Sequence, residues 1–283
     1  MLKGINFMYL SGYPKISIVT PSFNQGQFLE QTVMSVLGQN YPNLEYIIID
    51  GGSTDNSVEI IKKYEKELAY WESHKDRGQT HAINKGFKRA TGDIIAYLNS
   101  DDQYCPGVLL IVADYFLKHS NSMWLCGNVL YADRKGTVFA KKIPIYSPFI
   151  LRFGSSSVYQ PNIFLRRQLL DEVGYLREDF HTIMDQEWFC RIAETYPPEI
   201  VDNDFAIFRW HVDSKSSSSA NSSHFKRYLV EKTEIYLRYL PVLRPVLRRA
   251  PKPVILFLNQ VARGVKLWIR FKRLFKPISS HKL

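Results

Sequence analysis

Asn99-Ser100-Asp101-Asp102 puts two adjacent carboxylates directly behind an apolar run, Ile94 to Leu98. Neighbouring carboxylates repel unless a cation stands between them and a second anion, so the pair suits Mg²⁺ or Mn²⁺ holding a diphosphate. An Asp-Asp step also serves as a turn or a helix N-cap. Asp50, closing the run Glu45 to Ile49, has the same two readings: it can bind a ribose or base, or cap the turn Gly51-Gly52-Ser53-Thr54-Asp55. Asp185 and Glu187, in Met184-Asp185-Gln186-Glu187, open a helix one residue apart, so they point in different directions and one of them at most is expected to face a given pocket. An acid there also suits the helix dipole. His211, in Arg209-Trp210-His211-Val212-Asp213-Ser214-Lys215-Ser216, could complete a metal shell, donate to a phosphate oxygen beside Lys215, or simply pack.

The elements that must position these groups follow from periodicity. KISIVT, Lys15 to Thr20, reads as a buried strand stopped by Pro21, and Leu29, Val33, Val36 and Leu37 mark the next helix. EYIIID is a second strand, followed by a helix on Val58, Ile61, Tyr64 and Leu68. Ile83, Phe87 and Ala90 give a third helix, Ile94 to Leu98 a strand, Leu109 to Phe116 a helix and Trp124 to Leu130 a strand. Such alternation predicts an α/β fold with a mostly parallel sheet and helices on both faces. Ligands of such sheets sit beyond the C-terminal strand ends, which groups the loops Pro21 to Gln27, Gly51 to Asn56 and Asn99 to Gln103 in one crevice. The loop TPSFNQG is neither a GxGxxG fingerprint nor a P-loop, which counts against a dinucleotide dehydrogenase, a P-loop ATPase and, for want of a Gly- and Lys-rich phosphate loop, a nucleotidyltransferase. Lys141 to Gln160 reads as a long irregular segment; helices resume near Arg167 to Val173 and at Met184. Trp188 is read as packed or as lining an acceptor site. Cys105, Cys126 and Cys190 are too scattered for a disulfide framework or a zinc cluster, so a reducing compartment fits.

Four blocks, Ile18-Val19-Thr20-Pro21-Ser22-Phe23-Asn24, Asp50-Gly51-Gly52-Ser53-Thr54-Asp55, Asp76 to Gly86 (DRGQTHAINKG) and Asn99-Ser100-Asp101-Asp102, together resemble family 2 glycosyltransferases of the GT-A fold, of the bacterial polysaccharide type. The likeness extends over residues 14–216, through Gln160-Pro161 and Arg191 to His211. It implies a Rossmann-like GT-A domain whose nucleotide-binding half covers about 14–130 and whose acceptor half covers about 131–216. It further implies that Thr20, Pro21, Ser22 and Asn24 line the nucleotide pocket with Asn84 and Lys85, that Asp50 and Asp76 hold the base, and that Asp101 contacts the ribose. Asp102, with His211, would bind Mg²⁺ or Mn²⁺; the family's DxD-type motif is written here Ser100-Asp101-Asp102, without an acid at its first position. Asp185 matches the general base of similar inverting enzymes, with Glu187 second. The implied reaction moves a sugar from a nucleotide diphosphate, UDP first and GDP or dTDP open, to a saccharide or lipid-linked saccharide of the cell envelope. A catalytically inactive relative serving as an assembly or glycan-binding partner is the other reading.

The net charge of +10 is uneven: from Phe225 on, fifteen Lys and Arg face only Glu231 and Glu234, so this segment carries +13 and the first 224 residues −3. Residues 217–224 read as a serine-rich linker and 225–283 as a basic amphipathic tail, with Val254, Phe257, Leu258, Val261, Val265, Trp268 and Ile269 on one helical face and Arg263, Lys266, Arg270 and Arg273 opposite. Trp268 and Phe271 among the basic residues favour an anionic lipid surface over nucleic acid, and packing on the catalytic domain or a second subunit is the alternative. No leader or membrane-spanning run of roughly 20 residues is expected. The expected location is the cytoplasmic face of the cell membrane, with truncation after Ser223 releasing the chain.

Overall fold

The computed structural model describes residues 12–153, 158, 160–211, 223–249 and 251–274. Lys215, residues 217–222 of the expected linker and residues 275–283 of the tail lie outside these, as do the side chains of Arg270, Phe271 and Arg273. In chain order the elements are β1 (Ile16–Ser22), α1 (Gly26–Leu37), β2 (Leu44–Asp50), α2 (Ser57–Lys63), β3 (Tyr70–Ser73), α3 (Gln79–Arg89), β4 (Ile94–Tyr97) and β5 (Gln103–Tyr104). There follow α4 (Val108–Lys118), β6 (Trp124–Ala132), β7 (Val138–Lys142), α5 (Pro148–Phe153), β8 (Ile163–Arg166), α6 (Leu169–Val173), α7 (Met184–Ile192) and β9 (Glu199–Arg209). The C-terminal helices are α8 (Ser223–Tyr239), α9 (Arg244–Arg249) and α10 (Pro251–Leu274).

Among the described residues the strands form one sheet in the order β3-β2-β1-β4-β8-β6-β9-β5, with β7 on β6. β3, β2, β1 and β4 are mutually parallel. β8 runs antiparallel to both β4 and β6, β9 is parallel to β6, and β5 is antiparallel to β9. The continuous apolar run of β2 is buried on both faces: Ile47 and Ile49 join the core under α3, while Tyr46 and Ile48 join the core under α1 and α4. Gly86 lets α3 press onto β1, since a Cβ there would stand 2.3 Å from Val19 Cγ1.

Three local expectations are corrected. Pro21 does not stop β1: the strand pairs with β2 through Ser22, and the pairing with β4 has ended at Val19, so the missing Pro21 N–H has no ladder bond to break. The segment read as irregular takes in the last two residues of β7 and all of α5, whose Ile150, Leu151 and Phe153 are buried. Ser223 and His224, assigned to the linker, are already helical in α8.

The tail is divided between two environments. Ile235, Tyr236, Leu247, Ile255 and Leu258 lie in the same core as α5 and α7. Leu258 is thus parted from the face predicted for it and turns inward with Ile255 and Ala262, while Phe257 and Trp268 stay 66% and 56% exposed. The apolar arc of α10 is wide enough to dock one edge on α5 and α8 and leave the other edge uncovered. Tyr236 ties the contact down: its hydroxyl donates to the Phe153 carbonyl at 2.7 Å and its ring meets that of Phe153 at 5.3 Å. Truncation after Ser223 would therefore remove core residues along with any surface function. Tyr236→Phe is expected to cost about 1 kcal/mol for the lost hydrogen bond and Tyr236→Ala about 3–5 kcal/mol, read by chemical denaturation of the full chain.

Candidate active site

The crevice is built from the C-terminal ends of β1, β2 and β4, and its loops are stitched to one another. Asn24, in the left-handed conformation at φ 51° that asparagine tolerates, donates nothing from its own side chain to this stitch but accepts the Thr54 N–H at 2.8 Å, while its backbone N–H reaches the Ser53 hydroxyl at 2.8 Å. Asp50 is fully buried, and its carboxylate accepts the Gly52 and Ser53 N–H groups at 3.1 and 2.8 Å and the Ser53 and Ser73 hydroxyls at 2.5 and 2.7 Å. Four bonds make Asp50 the anchor of its own turn. Asp76 accepts the Gly78 N–H at 2.7 Å with one oxygen; the other packs closely against Gly51 beside the exposed Phe23 ring, where a Gly51 Cβ would stand 3.0 Å from Asp76 Oδ2 and 3.3 Å from Phe23 Cδ2. Thr20 is fully buried with its hydroxyl 3.0 Å from that of Tyr46, and Pro21 and Ser22 are buried at the end of β1.

Beyond β4, the paired acids are held from three sides. Asp102 is fully buried; Oδ1 accepts the Arg209 backbone N–H at 3.1 Å and Oδ2 the Asn99 amide at 3.3 Å. The Thr32 hydroxyl on α1 reaches the Ser100 and Asp102 carbonyls at 2.9 and 2.7 Å. Asp101 Oδ2 lies 3.0 Å from His211 Nε2, and the His211 ring packs on Phe28 at 4.8 Å between centroids. Burial pushes the Asp102 carboxyl well above the usual carboxylate range and the Asp101 charge adds to it, against the pull of the Arg209 N–H and the Asn99 amide. The two carboxylates and the imidazole are donor types that a divalent cation takes. Among the described residues no three His, Cys, Asp or Glu side chains converge into a ready cage.

The first turn of α3 joins these acids to α7. Gln79 donates to Asn99 Oδ1 at 2.7 Å, and the Thr80 hydroxyl reaches the Phe180 carbonyl at 3.0 Å and Met184 Sδ at 2.7 Å. Asp185, next to Met184, has its carboxyl raised by burial and held back by the Gln186 N–H, at 2.8 Å, and by Lys232. Glu187 faces away into an ion pair: Arg191 Nε donates to its two oxygens at 2.8 and 3.1 Å, and the same guanidinium caps the Val173 and Tyr175 carbonyls. Trp188 is fully buried, with its indole N–H on the Gly174 carbonyl.

Asn84 and Lys85 are occupied elsewhere. Asn84 is buried and exchanges hydrogen bonds with the backbone of Leu176, at 2.8 and 3.2 Å, and Lys85 pairs with Glu72 on β3. Thr32 and Phe28 are site-supporting residues that sequence reading passed over, and Gln79 and Asn99, though inside the quoted blocks, were given no role, since no spacing rule signals a single polar contact.

With this geometry in place, comparison of the chain with known families is decisive: the model described as "Glycosyl transferase family 2" matches residues 17–189. The chain belongs to glycosyl transferase family 2. An uncharacterized glycosyltransferase of Mycobacterium tuberculosis is 32% identical over 196 residues, covering 67% of this chain and 72% of its relative. TuaG of Bacillus subtilis, a glycosyltransferase named for teichuronic acid biosynthesis, is 27% identical over 227 residues, 72% of this chain and 86% of TuaG. Among solved structures, TarS 1–349 of S. aureus in complex with UDP-GlcNAc superposes with a TM-score of 0.59 at 19% identity, over 79% of this chain and 66% of that one. The longer TarS chain is spanned only to 40%. The mannosyltransferase PcManGT of Pyrobaculum calidifontis, in complex with GDP-Man and Mn²⁺, gives a TM-score of 0.57 at 16% identity, over 95% of this family 2 chain and 83% of its own. These likenesses are of fold, and the α/β sheet of this glycosyltransferase is the GT-A arrangement they share.

Asp50→Asn keeps the shape of the turn anchor but sets an NH₂ against its donors. It is expected to cost about 1–3 kcal/mol in chemical denaturation by loosening the loop that carries Gly51.

Proposed function

We propose that this glycosyltransferase moves a sugar from a nucleotide diphosphate to a hydroxyl of a saccharide or lipid-linked saccharide acceptor, with inversion at the anomeric carbon. The observation that carries the reading is the paired Asp101 and Asp102 beyond β4, met by His211 from the end of β9. The exposed Phe23 ring offers a stacking surface for the base, and Asp76, packed closely against Gly51 beside it, an acceptor for a ring N–H. Asp101, Asp102 and His211 would hold a divalent cation, which when bound neutralises charge on the departing diphosphate. Asp185 takes the proton of the acceptor hydroxyl as its oxygen bonds to the anomeric carbon and the bond from that carbon to the phosphate oxygen breaks. Attack from the face opposite the nucleotide inverts the centre. Glu187, paired with Arg191, supports α7 and takes no proton.

UDP is the first nucleotide to try, because TarS is a fold neighbour solved with UDP-GlcNAc, although PcManGT carries GDP-Man. Titration calorimetry with UDP, GDP and dTDP, each with and without Mn²⁺, is expected to show metal-enhanced binding of one of them; binding of none would favour an inactive relative that acts as an assembly partner. Asp102→Ala is expected to abolish the metal-dependent part of binding. Asp185→Asn should keep donor binding and lower transfer by a factor of about 100 or more; near wild-type transfer in that variant rules out the base assignment.

The reading extends to the membrane surface. Phe257, Val261 and Trp268 lie on one exposed stripe of α10, and Arg244, Arg248, Arg249, Lys252 and Arg263 are exposed on α9 and α10. This combination suits shallow insertion into an anionic leaflet, each basic residue near the surface adding about 1 kcal/mol. Among the described residues no helix is long and apolar enough to cross a membrane. Phe257→Ser with Trp268→Ser is expected to leave the melting temperature unchanged and to abolish sedimentation with phosphatidylglycerol vesicles; retained sedimentation would argue against this surface.

A further inference from the structure

The segment that carries Asp185 is held from outside by the basic C-terminal region. The residue before α7, Ile183, offers no side-chain cap to the helix. The restraint comes from α8, where the Glu231 carboxylate, only 4% exposed, accepts three successive backbone N–H groups: His181 at 2.8 Å, Thr182 at 2.9 Å and Ile183 at 3.0 Å. A run of backbone N–H groups closing on one carboxylate is a nest occupied by an internal anion, and it fixes the chain immediately ahead of the helix.

Lys232, the next residue, is fully buried and works on the other side of Asp185. Its ammonium donates to Gln186 Oε1 at 2.9 Å, and the Gln186 amide in turn donates to the Leu151 carbonyl at 2.5 Å. Residues 181–183 and residue 186 are therefore both gripped by α8, with Asp185 between them.

We propose that Glu231 and Lys232 are positioning residues of the transfer reaction, holding the entry to α7 and Gln186 so that the Asp185 carboxylate is fixed toward the acceptor hydroxyl. This rests on the reading of Asp185 as the general base. The electrostatics agree with the geometry. Burial brings the Lys232 ammonium down to about 7, with Asp185 and Cys190 of α7 opposing the shift and the Tyr236 ring 5.4 Å away. At Asp185 the Lys232 charge favours the carboxylate and the Glu231 charge disfavours it. Loss of the lysine charge leaves Asp185 a weaker acid, so the pH at which the base becomes ionised moves upward. The basic C-terminal segment then does two jobs: the middle of α8 serves the chemistry, and α10 carries the exposed apolar edge.

The test uses the full chain with Glu231→Gln and Lys232→Met, both close in volume to the native residues. Transfer is read as nucleotide release from UDP-GlcNAc or GDP-mannose with a mixed lipid-linked saccharide fraction as acceptor, and fold and donor site are read by melting temperature and nucleotide titration. Glu231→Gln is expected to speed amide exchange at His181, Thr182 and Ile183 by tenfold or more, and to lower kcat by tenfold or more with donor KM within twofold of wild type. Lys232→Met is expected to move the acid limb of the kcat profile to higher pH. Should Glu231→Gln fail to fold, Glu231→Asp, which keeps the charge on a shorter arm, is expected to lose an intermediate share of kcat. Unchanged exchange at 181–183 overturns the clamp, and faster exchange with unchanged kcat overturns its part in catalysis. An acid limb unmoved in Lys232→Met overturns the role of the lysine. A wild-type chain that releases no nucleotide from either donor, or an Asp185→Asn variant of full activity, overturns the base reading beneath the proposal and is distinguishable from all of these.

Discussion

Asp101 and Asp102 stand side by side at the end of β4, one of them wholly out of water, and two like charges in that position are costly unless the surroundings compensate. Much of the crevice can be understood as that compensation. α1 contributes the Thr32 hydroxyl that pins the loop carbonyls, α3 contributes Gln79 through Asn99, and β9 contributes a backbone N–H from Arg209 and the imidazole of His211. Elements far apart in the chain converge on this point because the parallel strands β1, β2 and β4 all end on the same side, and β6 and β9 extend the sheet so that its last long strand returns there.

A second acid is managed differently. Asp185 is kept apart from the first pair, its neighbour Glu187 is neutralised by Arg191, and the cationic partner of the site, Lys232, comes from a helix that the sequence marks as part of a basic tail. The two acid sites are nevertheless mechanically linked, since consecutive residues of α3, Gln79 and Thr80, touch the loop of the first and the helix of the second. Both acid sites are thereby referred to one helix, itself pressed onto β1 at Gly86.

How much of this was legible can be judged residue by residue. The strands β1, β2 and β4 were readable because each is buried on both faces and so written as an unbroken apolar run. β3, β5 and β8 were not: β3 is half-buried and mixed in polarity, β5 has two residues, and β8 is a four-residue strand with no such run to mark it. α5 was hidden among prolines, serines and aromatics that read as loop, and its burial under α7 and α10 is a tertiary fact. The motifs Asp50 to Asp55 and Asn99 to Asp102 announced the crevice. Asp50 proved to be bound by its own turn, an outcome the two readings of a strand-closing acid had left open.

The sequence by itself determined the family, the order of the nucleotide-side strands and helices, and the identity of the acids, because these depend on local pattern and on residue types that few other chemistries require. Only the tertiary structure decided which acid of Asp185 and Glu187 is tied up in an ion pair, that His211 meets Asp101, that Asn84 and Lys85 are committed to Leu176 and Glu72, and that the basic tail begins inside the core. The physical reason is the same in each case. A charged or amide side chain carries no periodic signature, so its role is set by whichever partner the fold brings within about 3 Å, and that partner lies anywhere from a few residues to more than a hundred away along the chain.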